Sequence, residues 1–101
     1  MEIEAATVPL MGRVMELAAK GCLTRAHRSN LAHLGPKLAA AGVDPLLVNV
    51  LADAQTSGGL LISLPPQSAD WLCDMLRQGG CKAHAVIGRV LERGQASILL
   101  R

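Results

Sequence analysis

Aromatic side chains are almost absent from this sequence: Trp71 is the only one, and neither Tyr nor Phe occurs. Modules that read unpaired RNA or DNA bases stack them on aromatic side chains, so this absence excludes that class of protein. The formal net charge of +2 is too small for a protein that grips the nucleic-acid backbone through a basic face. We therefore expect no nucleic-acid partner and a core built from aliphatic residues.

Three further features are missing. The cysteines Cys22, Cys73 and Cys81 are odd in number and form no C-x-x-C pair, so neither a disulfide framework nor a zinc knuckle is indicated. The N-terminus lacks the basic and apolar regions of a signal peptide, and no run approaches the roughly 18 apolar residues of a membrane span. These absences predict a soluble, cytoplasmic protein with reduced thiols and no membrane partner.

What is present is a hydrophobic fraction of 50% in 101 residues, which suits one domain over residues 1–101. Apolar periodicity and capping residues predict helices over residues 9–20, 36–42, 45–51 and 69–78. Residues 2–6 are predicted as a brief strand or a lead-in, and the apolar run at residues 60–64 predicts a buried strand. Alternation predicts a strand over residues 81–91 that pairs as a hairpin with residues 96–100, and loops are predicted over residues 21–30 and 53–59. The order of these elements predicts a single domain in which helices and strands form α/β layers.

The informative segment is residues 53–62, Asp-Ala-Gln-Thr-Ser-Gly-Gly-Leu-Leu-Ile. Gly58 and Gly59 follow two hydroxyl residues, Thr56 and Ser57, and glycine lets a backbone approach a ligand because no Cβ intervenes. Successive N–H groups in such a turn can hold an anion such as phosphate. The alternative is a tight turn in which glycine only permits a positive φ.

Other residues carry weaker signals. Cys22 follows a helix end near basic residues, which predicts either a reactive thiol or an ordinary buried cysteine. Arg25 and Arg28 form a basic patch that either reaches an anion or is solvated loop charge. The three histidines, at positions 27, 33 and 84, match no metal-ligand spacing, so no metal site is expected.

The string at residues 53–62 closely resembles the Asp-Pro-Gln-Thr-Ser-Gly-Gly-Leu-Leu signature of the selenide, water dikinase (selenophosphate synthetase) family. Shorter similarities follow in the family's order: residues 8–10, residues 21–30 ending in Asn30, and Ile87-Gly88-x-Val90. The resemblance covers nearly the whole chain. It implies the C-terminal domain shared with aminoimidazole ribonucleotide synthetases, in an incomplete form. That domain is an α+β or α/β sandwich with a mixed sheet and helices.

The resemblance also implies a function. Members of the family make selenophosphate from selenide and ATP with magnesium, and their catalytic Cys or selenocysteine, its lysine and most metal ligands lie in an N-terminal ATP-binding domain. No such domain, and no catalytic or metal residue, is recognised in this sequence. The residues implied to lie near substrate or phosphate are Thr56, Ser57, Gly58, Gly59 and Asn30.

Two departures from the family pattern stand in the matched region. Ala54 replaces a proline, and residues 24–27, Thr-Arg-Ala-His, replace Pro-Gly-Gly-Thr. The first hypothesis is a C-terminal fragment of selenophosphate synthetase that is inactive alone, binds no cofactor by itself and completes a cleft with the N-terminal domain. The alternative is a stand-alone, non-catalytic module that associates through exposed apolar surface, and a homodimer is expected.

Overall fold

The two ends of the chain lie side by side in one four-stranded sheet. The computed structural model describes residues 1–101, with strands β1 (Glu2–Ile3), β2 (Leu38–Ala39), β3 (Gly88–Arg89) and β4 (Ile98–Leu100). The sheet order is β2-β4-β1-β3. Strand β4 runs parallel to both β1 and β2, whereas β3 runs antiparallel to β1. The sheet is therefore mixed, and with its helices it confirms the predicted α+β class.

Four α-helices accompany the sheet: α1 (Val14–Ala19), α2 (Ala26–Leu34), α3 (Pro45–Ala52) and α4 (Ala69–Gln78). Helix α3 packs against both α1 and α2, while α4 packs mainly on the 3₁₀ turn that precedes it. The predicted start of α3 is confirmed, since the Asp44 carboxylate accepts a hydrogen bond from the Leu46 N–H at 2.8 Å and Pro45 opens the helix. None of the helices has the length and apolarity to cross a membrane.

A buried carboxylate ties the sheet together. Glu2 is only 6% exposed, and its two oxygens accept hydrogen bonds from Arg89 Nε at 2.8 Å and Arg101 Nε at 2.6 Å. The hydrogen bond from Arg89 is the main cause that lowers the pKa of the Glu2 carboxyl below its ordinary value, and Arg101 acts in the same direction. A buried charge costs free energy unless it is paired, so these guanidiniums are what allow Glu2 to lie inside.

Much of the apolar surface remains uncovered. Only 5 of 101 residues are buried, and the radius of gyration of 14.5 Å exceeds the roughly 13 Å of a compact domain of this length. Leu60 is 90% exposed and Trp71 is 64% exposed. Half of the residues are hydrophobic, but the chain by itself buries few of them.

Several predicted helix boundaries are wrong. Helix α1 begins at Val14 rather than Pro9, because Arg13 adopts a left-handed φ of 66° that interrupts the helix. Residues 26–30, predicted as part of a loop, belong to α2, and residues 36–42 contain strand β2 where a helix was predicted. Helix α2 has little apolar periodicity, so its packing on α3 rather than its pattern stabilises it.

The predicted strand at residues 60–64 and the predicted C-terminal hairpin are also wrong. Residues 59–65 pair with no strand and form no regular element. Strand β4 does not pair with β3, because β1 lies between them. The N-terminal strand displaces the hairpin pairing, since Leu99 N–H donates to the Met1 carbonyl and Arg101 N–H to the Ile3 carbonyl.

Gly88 is required by the close approach of β3 to β1. A Cβ at this position would lie 2.0 Å from the Glu2 carbonyl oxygen. We expect Gly88→Ala to push the strands apart and lower the free energy of unfolding by about 1–3 kcal/mol, the usual cost of overpacking. Chemical denaturation measures the change. Gly94→Ala is the matched control, because Gly94 has open space around its Cβ position, and equal stability of the two variants would contradict the prediction.

Candidate functional site

Asp53 is the first residue of the segment over residues 53–62, and its carboxylate binds the chain that leads into α2. Both carboxylate oxygens of Asp53 lie 3.2 Å from the Thr24 backbone nitrogen, which donates to them, and the Thr24 hydroxyl donates to one of them as well. The Thr24 hydroxyl in turn accepts from the Ala26 N–H at 3.1 Å. This chain of hydrogen bonds fixes the start of α2 beside the start of the loop over residues 53–59.

The same contact changes the acidity of Asp53. The hydrogen bond from the Thr24 side chain is the largest cause that lowers the pKa of the Asp53 carboxyl, and the positive field of His27 adds to it. Partial burial opposes this shift. Asp53 is therefore held in its charged form, as a structural acceptor.

Asn30 provides a second anchor between α2 and the loop. Its side-chain amide donates to the Ala52 carbonyl at 2.8 Å, at the end of α3. Asn30 and Asp53 also line one shallow cavity of about 300 Å³, together with His33 and Leu51. The structure thus brings predicted site residue Asn30 next to the start of the string.

The other four predicted site residues, Thr56, Ser57, Gly58 and Gly59, lie on exposed chain outside that cavity. Neither glycine has a positive φ, so the alternative that glycine is needed for a tight left-handed turn is wrong. A Cβ on Gly59 would meet nothing within 4 Å. Nothing within the chain accounts for these glycines, and approach of an external group to this backbone stays a prediction.

A second cavity of about 350 Å³ lies on the other side of Thr24. Among its lining residues are Arg25, His27 and Arg28, which α2 and its N-cap position bring together. His27 Nδ1 lies 2.5 Å from the Thr24 carbonyl oxygen. The sequence predicted a loop for this basic patch, but the structure places it at the start of α2.

The side chains that could ligate a metal, those of His, Cys, Asp and Glu, do not cluster in this structure. No group of three or more His, Cys, Asp or Glu residues is close enough to hold one ion. The three cysteines are free, and Cys22 is exposed, so the expectation of a buried cysteine at this position is wrong. The residues of this chain do not by themselves fit a magnesium ion.

Sequence reasoning missed the role of Thr24. It noted residues 24–27 only as a departure from a family pattern, and it treated Asp53 as the start of a loop. A β-hydroxyl and a carboxylate 29 positions apart give no local signal. Only an expectation that the loops over residues 21–30 and 53–59 meet in space would have suggested the pair.

The model of the family described as AIR synthase related protein, C-terminal domain, matches residues 6–101. This chain belongs to that family of C-terminal domains.

Individual relatives make the similarity more specific. The chain is 33% identical over 100 residues to "Selenide, water dikinase 2" of Peptoclostridium acidaminophilum, covering 99% of this chain and 29% of that protein. It is 37% identical over 102 residues to the selenide, water dikinase of Nitratidesulfovibrio vulgaris strain DSM 19637 / Miyazaki F, covering 98% and 29%. The corresponding enzyme of Geobacter metallireducens is 41% identical over 100 residues, covering 98% and 29%.

These matches confirm the resemblance of the chain to the selenide, water dikinase family. The chain spans less than a third of the length of the curated relatives that it matches, and nearly all of the chain lies within each match.

The Asp53–Thr24 contact predicts a pH-dependent contribution to stability. Because its pKa is lowered in the folded state, Asp53 stabilises the fold above its ordinary value of 3.8, and this stabilisation is lost as the pH falls through the lower, folded-state pKa. We expect Asp53→Asn to lower the melting temperature at pH 7 and the difference from the parent chain to shrink towards pH 2.

Thermal unfolding followed by circular dichroism between pH 2 and pH 7 measures this difference. Glu92→Gln is the matched control, since Glu92 is exposed and forms no ion pair. A difference between Asp53→Asn and the parent that stays constant with pH would contradict the prediction.

Proposed function

We propose that this chain serves as the C-terminal part of a selenophosphate synthetase, and that it completes a cleft with an N-terminal ATP-binding domain. In this role the enzyme makes selenophosphate from selenide and ATP with magnesium. The observation that carries the proposal is the string at residues 53–62, which belongs to a chain whose relatives are named selenide, water dikinases.

The position of the loop supports this role. Gly58 and Gly59 lie on exposed chain with no contact that demands glycine, so their backbone is free to approach a substrate held by another domain. Thr56 and Ser57 add hydroxyl groups beside them. The anchors at Asp53 and Asn30 fix where this loop leaves α3.

The proposal assigns no chemical step to the chain alone. A magnesium ion would need ligands from outside this chain, because the carboxylates of the chain do not cluster. Phosphoryl transfer from ATP relies on a metal ion and on groups that position the phosphates. We therefore propose that the isolated chain is inactive and that catalysis belongs to the N-terminal domain.

Transplanting the chain into a relative tests this proposal. We expect that replacing the matching segment of the Geobacter metallireducens enzyme, which is 41% identical, preserves selenophosphate formation. Phosphorus NMR of the product, with ATP, magnesium and selenide supplied, measures the activity. The isolated chain under the same conditions should form none.

Substitutions in this chimera separate the loop from the rest of the chain. Gly58→Val and Gly59→Val should reduce selenophosphate formation at least about tenfold, because a branched side chain blocks backbone approach. Gly94→Val is the matched control, another glycine with open space around it. A chimera that folds without activity, or an isolated chain that makes selenophosphate, would show the proposal to be wrong.

The uncovered apolar surface favours a second candidate, a non-catalytic module that pairs with a second copy of the chain. The three consecutive residues Leu60, Leu61 and Ile62 are exposed, and their backbone groups form no hydrogen bond within the chain. An extended, apolar segment with free backbone groups is a template for pairing with another strand.

Sedimentation equilibrium distinguishes this candidate. We expect the chain to self-associate at micromolar concentration, and Leu60→Lys with Ile62→Lys to shift it to monomer. Met11→Lys is the matched control, because Met11 is equally apolar and 77% exposed but lies far along the chain. A chain that stays monomeric at every concentration tested would refute self-association.

A further inference from the structure

Strand β1 occupies a position in the sheet that makes β3 depend on it. In the order β2-β4-β1-β3, β3 pairs with β1 alone, whereas β4 pairs with both β1 and β2. Strands β1 and β3 each contain only two residues, so few backbone hydrogen bonds join them. Departure of β1 would therefore detach β3 and leave the β2–β4 pair in place.

The packing of the chain divides into two groups of elements. Helix α3 packs on α1 and α2, while the strands pack mainly on one another, and no helix and strand share an extensive contact. The helices also have polar ties of their own, since Thr24 donates to Asp53 and Asn30 donates to the Ala52 carbonyl. A group of elements with its own contacts can stay folded while another group opens.

The Glu2 carboxylate is the side-chain link between three strands. Its Oε1 accepts from Arg89 on β3 and its Oε2 accepts from Arg101 directly after β4. The Glu2 side chain is 7% exposed, whereas those of Arg89 and Arg101 are 72% and 64% exposed. Water can satisfy the two guanidiniums if the contact breaks, but the buried carboxylate has no other partner.

The contact therefore depends on the charge of Glu2. An ionised carboxylate offers acceptors only, whereas a neutral carboxyl group carries a proton on one oxygen. Both hydrogen bonds would then lose their charge assistance, and one guanidinium would face a poorer acceptor. Since breaking a buried ion pair is strongly destabilising, the strands that it joins would lose their main support.

We propose that Glu2, Arg89 and Arg101 form an ion-pair switch: when Glu2 is neutral, β1 and β3 leave the sheet together, while the β2–β4 pair and helices α1, α2 and α3 stay folded. The switch is a conformational property of this chain. It does not rest on the proposed function, so failure of either proposal leaves the other standing.

Acid is one way to remove the charge of Glu2. The hydrogen bond from Arg89 is the largest cause that lowers the pKa of the Glu2 carboxyl, and Arg101 adds to it. The stabilisation by the ion pairs is therefore present above the ordinary value of 4.5 and is lost as the pH falls through the lower, folded-state pKa.

Other charged groups lie near this end of the sheet, and none of them binds Glu2: they are the N-terminal ammonium, the Glu4 carboxylate, Lys37 and the main-chain carboxyl group of Arg101. In the helices, the pKa of Asp53 is lowered as well, so acid acts on both groups of elements. A substitution at neutral pH is needed to isolate the effect of Glu2.

The experiment is amide hydrogen exchange of the complete 101-residue chain at pH 7, followed by nitrogen–proton NMR, with the variant Glu2→Gln. Glutamine keeps the size of the side chain but replaces one acceptor oxygen with an amide donor, which then faces a guanidinium. We expect the amides that join β1 to its neighbours to exchange at least about tenfold faster than in the parent chain.

Four backbone amides serve as reporters. Those of Glu4 and Arg101 donate to Ile87 and Ile3 across the β1 contacts, and both should exchange faster. The Ser97 amide donates to the Lys37 carbonyl beside β2, and the Val48 amide donates to the Asp44 carbonyl in α3. The last two amides should keep the exchange rates of the parent chain.

Glu4→Gln is the matched control, because Glu4 is an exposed carboxylate two residues away that forms no ion pair. It should leave all four reporters unchanged. Arg89→Gln and Arg101→Gln each remove one of the two contacts and should accelerate exchange less than Glu2→Gln does. As the pH is lowered from 7 to 3, the protection of the Glu4 and Arg101 amides in the parent chain should converge on that of Glu2→Gln.

Three results would overturn the proposal. The first is unchanged exchange of the Glu4 and Arg101 amides in Glu2→Gln. The second is equal acceleration at all four reporters or loss of the whole fold, which would mean that the strands and helices do not open separately. The third is an equal effect of Glu4→Gln, which would assign the change to net charge.

Discussion

The pairing of Glu2 with Arg89 and Arg101 is the interaction on which the sheet depends. The three residues lie on β1, on β3 and directly after β4, so one carboxylate joins the first strand to the last two. Because Glu2 is buried, loss of either guanidinium would leave one carboxylate oxygen without its partner, and loss of both would leave the buried charge uncompensated. The two ends of the chain are thereby held in adjacent strands, and this arrangement prevents the C-terminal hairpin that local sequence favours.

Buried surface is distributed unevenly, so the molecule has a packed side and an open side on which apolar residues are exposed. Helix α3 with α1 and α2 forms the packed side, and the hydrogen bonds of Thr24 and Asn30 tie the start and middle of α2 to the end of α3. Residues 59–65 and the exposed face of α4 at Trp71 have no such support. The proposed role in a larger enzyme and the proposed self-association both draw on this open side.

Sequence reasoning performed unevenly because its signals are local. The Asp44-Pro45 start of α3 and the extent of α4 were predicted correctly, since capping and apolar spacing operate within a few residues. Helix α2 was missed because its sequence has little apolar periodicity. The apolar run at residues 60–64 was predicted as a strand, but a strand needs a neighbour, and this structure provides none. For the site, the string at residues 53–62 was found directly, while the roles of Thr24 and Asp53 were not.

The sequence by itself determined the class of fold, the family resemblance and the loop that carries the glycines, because these depend on residue identity and short spacing. Tertiary structure alone decided which strands are neighbours and which charges meet. Glu2 and Arg101 are 99 positions apart, and Thr24 and Asp53 are 29 apart. Contacts over such separations are selected by the packing of the whole chain, so no local pattern encodes them.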